Sequence, residues 1–229
     1  MPARRPIVVE VAGLAGAGKS TLASALARLD PEIRARPRLP HRTYLATVPA
    51  LLRTFLSLHW PFRGMRTKEM KRILRVGALH RWVRERPPGG TVLFDEGPVY
   101  MLARTLVFGG DGIRTAAFER WWRAAIADWA ATLDVVVWLD APDHVLAARI
   151  ETRAQPHPLR GAQEQAVRAF FSTYRDAFNR VLAELCGPGG PQLWWIATDT
   201  RLPGNTARAV LARLHSLRAP TTPVLELAR

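Results

Sequence analysis

The feature that most constrains this chain is a glycine-rich loop close to its beginning. Residues 13–20 read Gly-Leu-Ala-Gly-Ala-Gly-Lys-Ser and match the spacing G-x-x-x-x-G-K-[ST] at every fixed position. The apolar, β-branched run 7–12 predicts a buried strand before the loop, and the leucine spacing over 22–29 predicts a helix after it. A strand, a glycine loop and a helix in this order are typical of a phosphate-binding site.

This loop gives each of its residues a candidate role. Its glycines let backbone N–H groups approach phosphate oxygens, and the following helix adds the positive end of its dipole. Lys19 is expected to bridge the β- and γ-phosphates, and the Ser20 hydroxyl is expected to ligate Mg²⁺. The predicted nucleotide-binding residues are Gly13, Ala15, Gly16, Ala17, Gly18, Lys19, Ser20 and Thr21. We therefore expect the protein to bind ATP and Mg²⁺.

A second candidate site follows a short apolar strand predicted over residues 91–94. Asp95 and Glu96 come directly after it, and the carboxyl ends of parallel strands are where ligands of such sheets bind. Beside a phosphate-binding loop this is the Walker B position, so Asp95 is predicted to be a metal ligand together with Ser20. Glu96 is either a catalytic carboxylate or an acid favoured by the dipole of a helix that begins at Pro98.

Two arginines near the end of a later predicted helix complete the candidate catalytic set. Arg149 and Arg153 are one helical turn apart and would share a face of that helix. With the polar, proline-bearing stretch that follows, they predict a lid-like segment over 149–161 that can open and close. In such a segment the arginines would stabilise charge on a transferring phosphoryl group, whereas surface ion pairing is the alternative role.

Positive charge is concentrated in one part of the sequence. The 229 residues carry a formal net charge of +14, and residues 31–90 alone hold 14 Lys/Arg against 3 Asp/Glu. Arginine-rich codon usage accounts for the choice of arginine over lysine, but not for this crowding. A basic segment beside a phosphate-binding loop favours an anionic acceptor, a nucleic acid or an acidic surface as the partner.

Hydrophobic periodicity and turn signals predict alternating strands and helices. Strands are expected at 7–12, within 31–40 at an edge, and at 91–94, 134–140 and 192–197; helices are expected at 22–29, 43–58, 67–86, 99–107, 113–133, 141–153, 162–185 and 205–217. The tryptophans of 113–133 are expected to pack in the interior rather than to stack on bases. This order predicts an α/β fold, namely the three-layer α/β/α sandwich of P-loop NTPases with a mainly parallel five-stranded sheet and helical substrate and lid insertions.

The length suits one large core, so 1–229 is predicted to be a single domain with 31–90 as a basic helical acceptor-binding insertion and 218–229 as a loose tail. Cys186 is the only cysteine, which excludes an internal disulfide and favours a reducing compartment. No apolar run reaches the length of a membrane span, and the first residues lack the apolar core of a signal peptide. These features predict a cytoplasmic protein without a membrane partner, and they leave its oligomeric state open.

Over about residues 6–215 the chain looks like a P-loop nucleoside or nucleotide kinase of the thymidylate-kinase-like group. The early phosphate loop, the basic helical insertion, the Asp95 strand end and the strand–helix–arginine run through Arg149 and Arg153 match in order and spacing. The resemblance implies phosphoryl transfer, lid arginines that reach the transferring phosphate, and a border of the adenine site at residues 198–201. The sequence departs from the group at Glu96 and Gly97, since the group usually places an arginine directly after the strand-end acid.

These observations leave the acceptor open. A kinase of a small nucleoside, nucleotide or similar metabolite is the main prediction. A polynucleotide 5′-hydroxyl kinase or another nucleic-acid-directed ATPase is the alternative favoured by the basic insertion, and a nucleotide-binding switch protein without a small acceptor is the third. A phosphate acceptor is already a nucleophilic anion, whereas a hydroxyl acceptor benefits from a carboxylate base. The basic insertion favours the first and the Asp95–Glu96 pair favours the second.

Overall fold

The computed structural model describes residues 5–59, 65, 67–86 and 89–218. Residues 219–229, which make up most of the predicted tail, lie outside the described residues. So do 60–64, where the sequence predicts a break between the two insertion helices.

The described strands form one parallel sheet. In chain order they are β1 Ile7–Gly13, β2 Ile33–Ala35, β3 Thr91–Phe94, β4 Val135–Asp140 and β5 Gln192–Ala197. Their order across the sheet is β2-β3-β1-β4-β5, and each neighbouring pair is parallel. β1 therefore lies between β3 and β4, and its carboxyl end is a topological switch point, where ligands of such sheets bind. The five predicted strands and their parallel arrangement are confirmed, including the short edge strand β2.

Helices cover both faces of this sheet. They are α1 Lys19–Leu29, α2 His41–His59, α3 Thr67–Arg84, α4 Pro98–Phe108, α5 Ala116–Ala130, α6 Asp143–Thr152, α7 Glu164–Leu185 and α8 Pro203–Arg218, with a 3-10 helix at Gly110–Arg114. α1 packs against α8, while α3, α4, α5 and α7 pack together. α2 packs on α3 and α5, outside that second group. The predicted three-layer α/β/α sandwich is confirmed.

The strand β1 explains why both faces of the sheet need helices. Val8, Val9 and Val11 are all fully buried, although successive side chains leave a strand on opposite faces. Glu10 is also fully buried and points toward α4. A strand that is buried on both faces reads as a nearly continuous apolar run, which is the pattern of a parallel sheet.

Large aromatic residues fill the interior. Trp122 and Trp129 of α5 and Trp138 of β4 are among the largest fully buried side chains. Burying such rings contributes more apolar area than any aliphatic residue can. The prediction that the α5 tryptophans pack in the interior is confirmed.

Two predicted helices have different bounds in the structure. The helix expected at 113–133 is divided, because the Thr115 side chain accepts a hydrogen bond from the Phe118 N–H and caps α5, which separates it from the 3-10 helix. α6 ends at Thr152, and Arg153 has extended backbone (φ −74°, ψ 146°). In the described part of the chain no helix combines the length and apolar character that crossing a membrane requires.

Candidate active site

The glycine loop joins β1 to α1 at the switch point of the sheet. Gly18 precedes α1 with φ 91° and ψ 15°, a left-handed conformation that glycine adopts without strain. At Gly16 a Cβ atom would lie 2.6 Å from the Leu146 carbonyl oxygen, so the loop packs closely on α6. No side chain caps α1, and no acidic residue lies in its first turn. The N–H groups at the start of α1 are therefore left for an anion.

Lys19 is the first residue of α1 and folds back across the loop. Its Nζ donates to the carbonyl oxygens of Gly13 at 2.9 Å and Leu14 at 2.8 Å. Burial lowers the pKa of Lys19 to about 8, against the opposing effect of the Glu96 and Asp95 carboxylates. A phosphate in the loop would replace the two carbonyl groups as partners and favour the charged amine.

Ser20 and Asp95 come together although they are far apart in the sequence. The Ser20 hydroxyl donates to Asp95 Oδ2 at 3.0 Å, and Asp95 is buried at the end of β3. A hydroxyl and a carboxylate are hard oxygen donors, and Mg²⁺ is usually held by one or two such groups together with substrate phosphates and water. This pair fits the predicted metal site. The described residues contain no cluster of three or more His, Cys, Asp or Glu that would form an all-protein cage.

A basic side chain from the edge strand also reaches this pair. Arg36 follows β2, and its Nε lies 2.6 Å from Asp95 Oδ2 while its Nη2 donates to the Ser20 carbonyl at 2.7 Å. Sequence reasoning grouped Arg36 with the other arginines of 31–90, because nothing in the local pattern distinguishes it. Its contact with Asp95 arises from the pairing of β2 with β3.

Glu10 is a second residue that sequence reasoning missed. Its carboxylate accepts hydrogen bonds from the backbone N–H groups of Gly97 at 3.1 Å, Val99 at 2.8 Å and Tyr100 at 2.9 Å. It thereby fixes the turn that carries Asp95 and the exposed Glu96. Burial raises the pKa of Glu10 to about 8, against the effect of these three hydrogen bonds. A charged residue within a buried apolar strand was the signal that could have found it.

Gly97 explains part of the unusual sequence after Asp95. A Cβ atom there would lie 2.6 Å from Phe94 Cβ and 2.7 Å from Glu10 Oε2. Real Cβ atoms do not approach other atoms so closely, so a larger residue would displace Glu10 or the turn. The buried Glu10 carboxylate thus lies beside the position that a side chain at residue 97 would occupy, so it requires glycine there.

The two predicted lid arginines have different surroundings. Arg149 on α6 donates to Thr198 Oγ1 at 3.0 Å and to the Thr198 carbonyl at 2.8 Å, which ties α6 to the loop after β5. Arg153 lies beyond the end of α6 and contacts Gln155. It is close enough to Lys19 to help lower the pKa of that amine. The predicted common helix face does not exist, because α6 ends between them, although both side chains line one cavity.

This cavity has a volume of about 700 Å³ and extends from the glycine loop to an aromatic wall. The whole loop from Gly13 through Thr21 lines it, including Ala15 and Ala17, and so do Glu96, Arg149, Arg153, His157, Thr198 and Arg201. The aromatic wall consists of Tyr100 and Phe108 of α4 with Phe170, Tyr174 and Phe178 of α7. From the sequence, the α7 residues contributed only to the hydrophobic periodicity that predicts a helix over 162–185.

Tyr100 and Arg104 connect the phosphate loop to the aromatic wall. Lys19 Nζ lies 6.0 Å from the centre of the Tyr100 ring, and the Tyr100 hydroxyl accepts a hydrogen bond from Arg104 at 3.0 Å. Arg104 also lies 5.2 Å from the Phe108 ring centre. Its Nε is buried and has no hydrogen-bond partner in the part of the chain that the structure describes. A polar group bound against the wall would satisfy this donor.

The basic segment 31–90 approaches the cavity from outside. Among the described residues, those that line the cavity come from other parts of the chain. Arg72 of α3 lies 5.3 Å from the centre of the Phe108 ring and pairs with the buried Glu69 at 2.6 Å. The segment thus supports the aromatic wall through Arg72, and its predicted role in binding the acceptor stays a prediction.

The parallel sheet with its phosphate loop at the switch point is a fold that this chain shares with solved structures of nucleoside and nucleotide kinases. A thymidylate kinase from Candida albicans is 14% identical with a TM-score of 0.57, and the match covers 93% of each chain. A deoxyadenosine kinase from M. mycoides with bound dCTP is 12% identical with a TM-score of 0.53, over 92% of this chain and 100% of that one.

The Bacillus subtilis protein YorR, in complex with phosphorylated GDP, is 13% identical with a TM-score of 0.54, over 94% of this chain and 100% of its own. Comparison with protein-family models and with curated proteins gives no match. The predicted resemblance is confirmed at the level of the fold.

Proposed function

We propose that this protein is an ATP- and Mg²⁺-dependent kinase that transfers the γ-phosphate to a small nucleoside-type acceptor. The observation that carries the proposal is that one cavity has the phosphate loop at one end and the aromatic wall at the other. An aromatic wall with a few convergent polar groups suits a flat heterocyclic base. The neighbouring solved structures include kinases that are named for a nucleoside and for a nucleotide.

The phosphate end supplies positioning and charge. Backbone N–H groups of the loop and Lys19 would hold the β- and γ-phosphates. Ser20 and Asp95 would hold Mg²⁺, which neutralises phosphate charge when it is bound. Arg153, beside Lys19, would stabilise the charge of the transferring group. Arg149 ties the loop after β5 to α6 and would position the nucleotide base.

Glu96 is the candidate base for a hydroxyl acceptor. It is exposed, lines the cavity and interacts electrostatically with both Lys19 and Arg104, so it lies between the two ends. In the transfer, the acceptor oxygen forms a bond to the γ-phosphorus as the bond to the β-phosphate oxygen breaks, and the hydroxyl proton passes to Glu96. ADP leaves with the bridging oxygen. A nucleoside would need this base, whereas a nucleoside monophosphate would not.

The division of the chain is part of the same proposal. Residues 1–229 would form one kinase-like unit with 31–90 as the acceptor-side insertion and 149–161 as the lid. Pro156, His157 and Pro158 line the cavity within that lid segment. A cytoplasmic location is proposed because the unpaired Cys186 suits a reducing compartment.

A nucleic-acid acceptor is the second candidate. The observation that favours it is the exposure of Arg34, Arg38 and Arg42 on the basic segment, away from the cavity. Such a surface is typical of contact with a phosphate backbone. A polynucleotide 5′-hydroxyl kinase would use the same phosphate loop and the same base.

The test is ATP consumption with Mg²⁺ against separate nucleosides, nucleoside monophosphates, other small hydroxyl compounds and a 5′-hydroxyl oligonucleotide. We expect ADP and a phosphorylated nucleoside in equal amounts, identified by mass spectrometry. ADP formed equally without acceptor would contradict a kinase, and product from the oligonucleotide alone would select the second candidate. Lys19→Ala is the negative control.

The acceptor group is tested with Glu96→Gln. If Glu96 takes the proton of a hydroxyl, this change lowers kcat by about 10²-fold or more, on the scale of general-base catalysis. Nucleotide binding should stay close to wild type, because the phosphate loop is unchanged. A variant with wild-type kcat would assign the acceptor to phosphates.

A further inference from the structure

Arg36 has the least expected backbone conformation in the site. Among the described residues it is the one non-glycine residue with a positive φ, at 52°. Its backbone N–H donates to the Leu93 carbonyl at 2.9 Å, which extends the β2–β3 pairing by one residue. A left-handed arginine is strained and persists where the surroundings hold it, and such residues cluster at functional sites.

Contacts of the Arg36 side chain hold the residue in this left-handed conformation. Nε lies 2.6 Å from Asp95 Oδ2, and Nη2 donates to the Ser20 carbonyl at 2.7 Å. The same Oδ2 atom accepts the Ser20 hydroxyl at 3.0 Å. The guanidinium thus lies against the two residues that fit Mg²⁺, and Arg36 and Ser20 share a single carboxylate oxygen.

We propose that Arg36 is a positioning residue that holds Ser20 and Asp95 together in the nucleotide-free protein and releases Asp95 when the magnesium nucleotide binds. This inference rests on the proposed function. Two cations on one carboxylate oxygen repel each other, and the oxygen already accepts two hydrogen bonds. Arg36 and the metal therefore compete for Asp95.

Exposure makes this exchange feasible. The Arg36 side chain is 45% exposed, whereas that of Asp95 is only 11% exposed. The guanidinium can therefore turn into water, where its charge is better solvated, while Asp95 stays in the site. Without Arg36, the buried Asp95 carboxylate would lack its cationic partner in the absence of metal.

The consequence is a direction of change that a purely structural arginine would not give. Removal of Arg36 is expected to destabilise the nucleotide-free protein and at the same time to lower the Mg²⁺ concentration that nucleotide binding needs. If Arg36 merely supported the fold, its removal would weaken both the stability and the nucleotide binding. If Arg36 helped to hold the metal, its removal would raise the Mg²⁺ concentration that nucleotide binding needs.

The experiment measures ADP binding by calorimetry in EDTA and at rising Mg²⁺, so that no turnover is involved. For Arg36→Gln we expect the Mg²⁺ concentration at half of the affinity gain to fall about tenfold, the scale of one charge-assisted contact. The thermal midpoint without nucleotide should also fall. Arg28→Gln removes the same charge from an exposed position in the last turn of α1, away from the cavity, and is the matched control, with a wild-type Mg²⁺ profile.

Arg36→Lys covers the case in which the glutamine variant does not fold. Lysine keeps the charge but lacks the planar guanidinium that reaches Asp95 and Ser20 together. In the lysine variant, the Mg²⁺ concentration at half of the affinity gain should therefore fall by about threefold. An unchanged or raised half-point in a folded Arg36 variant would overturn the inference. Wild-type protein that binds no ADP, with or without Mg²⁺, would instead contradict the proposed function.

Discussion

The two ends of the cavity are built in different ways. The phosphate end comes from one continuous stretch, Gly13–Thr21, between a strand and a helix. The aromatic end is assembled from α4 and α7, which meet only in the folded protein. The first is made mostly of backbone N–H groups and the second mostly of rings.

This difference explains why the sequence predicts the phosphate end of the cavity but not its aromatic end. Backbone groups can surround a phosphate only if glycines stand at fixed positions, so the spacing is a signal in itself. A ring wall can be built from many combinations of residues on helices that are buried in any case. On α7 the rings have the same spacing as an ordinary core stripe.

The first prediction tests the phosphate end. Lys19→Ala should lower kcat by about 10³-fold or more, because the variant loses the amine that would hold the β- and γ-phosphates and stabilise the charge of the transferring group. Steady-state kinetics with the acceptor found by screening measures the effect. Circular dichroism and thermal unfolding of the nucleotide-free variant should match wild type, since the lysine amine donates its hydrogen bonds to loop carbonyls and not to another element of the fold. Near-normal turnover would remove the central proposal.

A second prediction separates the two arginines. Arg153→Ala should lower kcat by about 30-fold with little change in the KM for ATP, as expected for a group that acts in the transition state. Arg149→Ala should instead raise the KM for ATP by about tenfold, because it frees Thr198 from α6. Steady-state kinetics of both variants decides the point. If the two variants changed kcat and the KM for ATP in the same way, these separate roles of Arg149 and Arg153 would be contradicted.

The aromatic end is tested third. Phe170 lies 4.5 Å from Tyr174, measured between ring centres, and Phe170→Leu keeps apolar volume while it removes stacking area. We expect the KM for the acceptor to rise about fivefold to tenfold with nucleotide affinity unchanged. The control is Trp195→Leu, an exposed ring on β5 that does not line the cavity. A change in ATP affinity instead would mean that the wall belongs to the nucleotide side.

The last prediction concerns stability rather than turnover and rests on Glu10, at the junction of the two ends. Its pKa is raised by burial to about 8, so between about pH 5 and pH 8 the folded protein keeps a proton that the unfolded chain loses. The unfolding free energy should therefore fall as pH rises, by at most about 1.4 kcal/mol per pH unit.

Glu10→Gln lacks this titration, so its stability should gain on that of wild type as pH rises. Denaturant unfolding at several pH values measures the difference, with Glu164→Gln at the exposed start of α7 as the control. Parallel pH profiles for wild type and Glu10→Gln would contradict the prediction.

The sequence by itself determined the fold and one end of the candidate site. Alternating strands and helices around a motif of fixed spacing were enough, because buried parallel strands and phosphate loops both need particular residues in a particular local order. The predictions from sequence that the structure corrects concern the ends of helices. Thr115 caps α5 and the chain leaves α6 at Thr152, two events that depend on side-chain hydrogen bonds and neighbouring packing rather than on periodicity.

Only the tertiary structure decided which distant residues meet at the loop. Glu10 reaches the turn after β3 because β1 and β3 are neighbours, and Arg36 reaches Asp95 because β2 pairs with β3. Neither residue belongs to a local pattern, and strand order is not written in any one stretch of sequence. Local spacing fixes what the backbone of a segment can bind, whereas contacts between segments depend on the order in which the sheet brings them together.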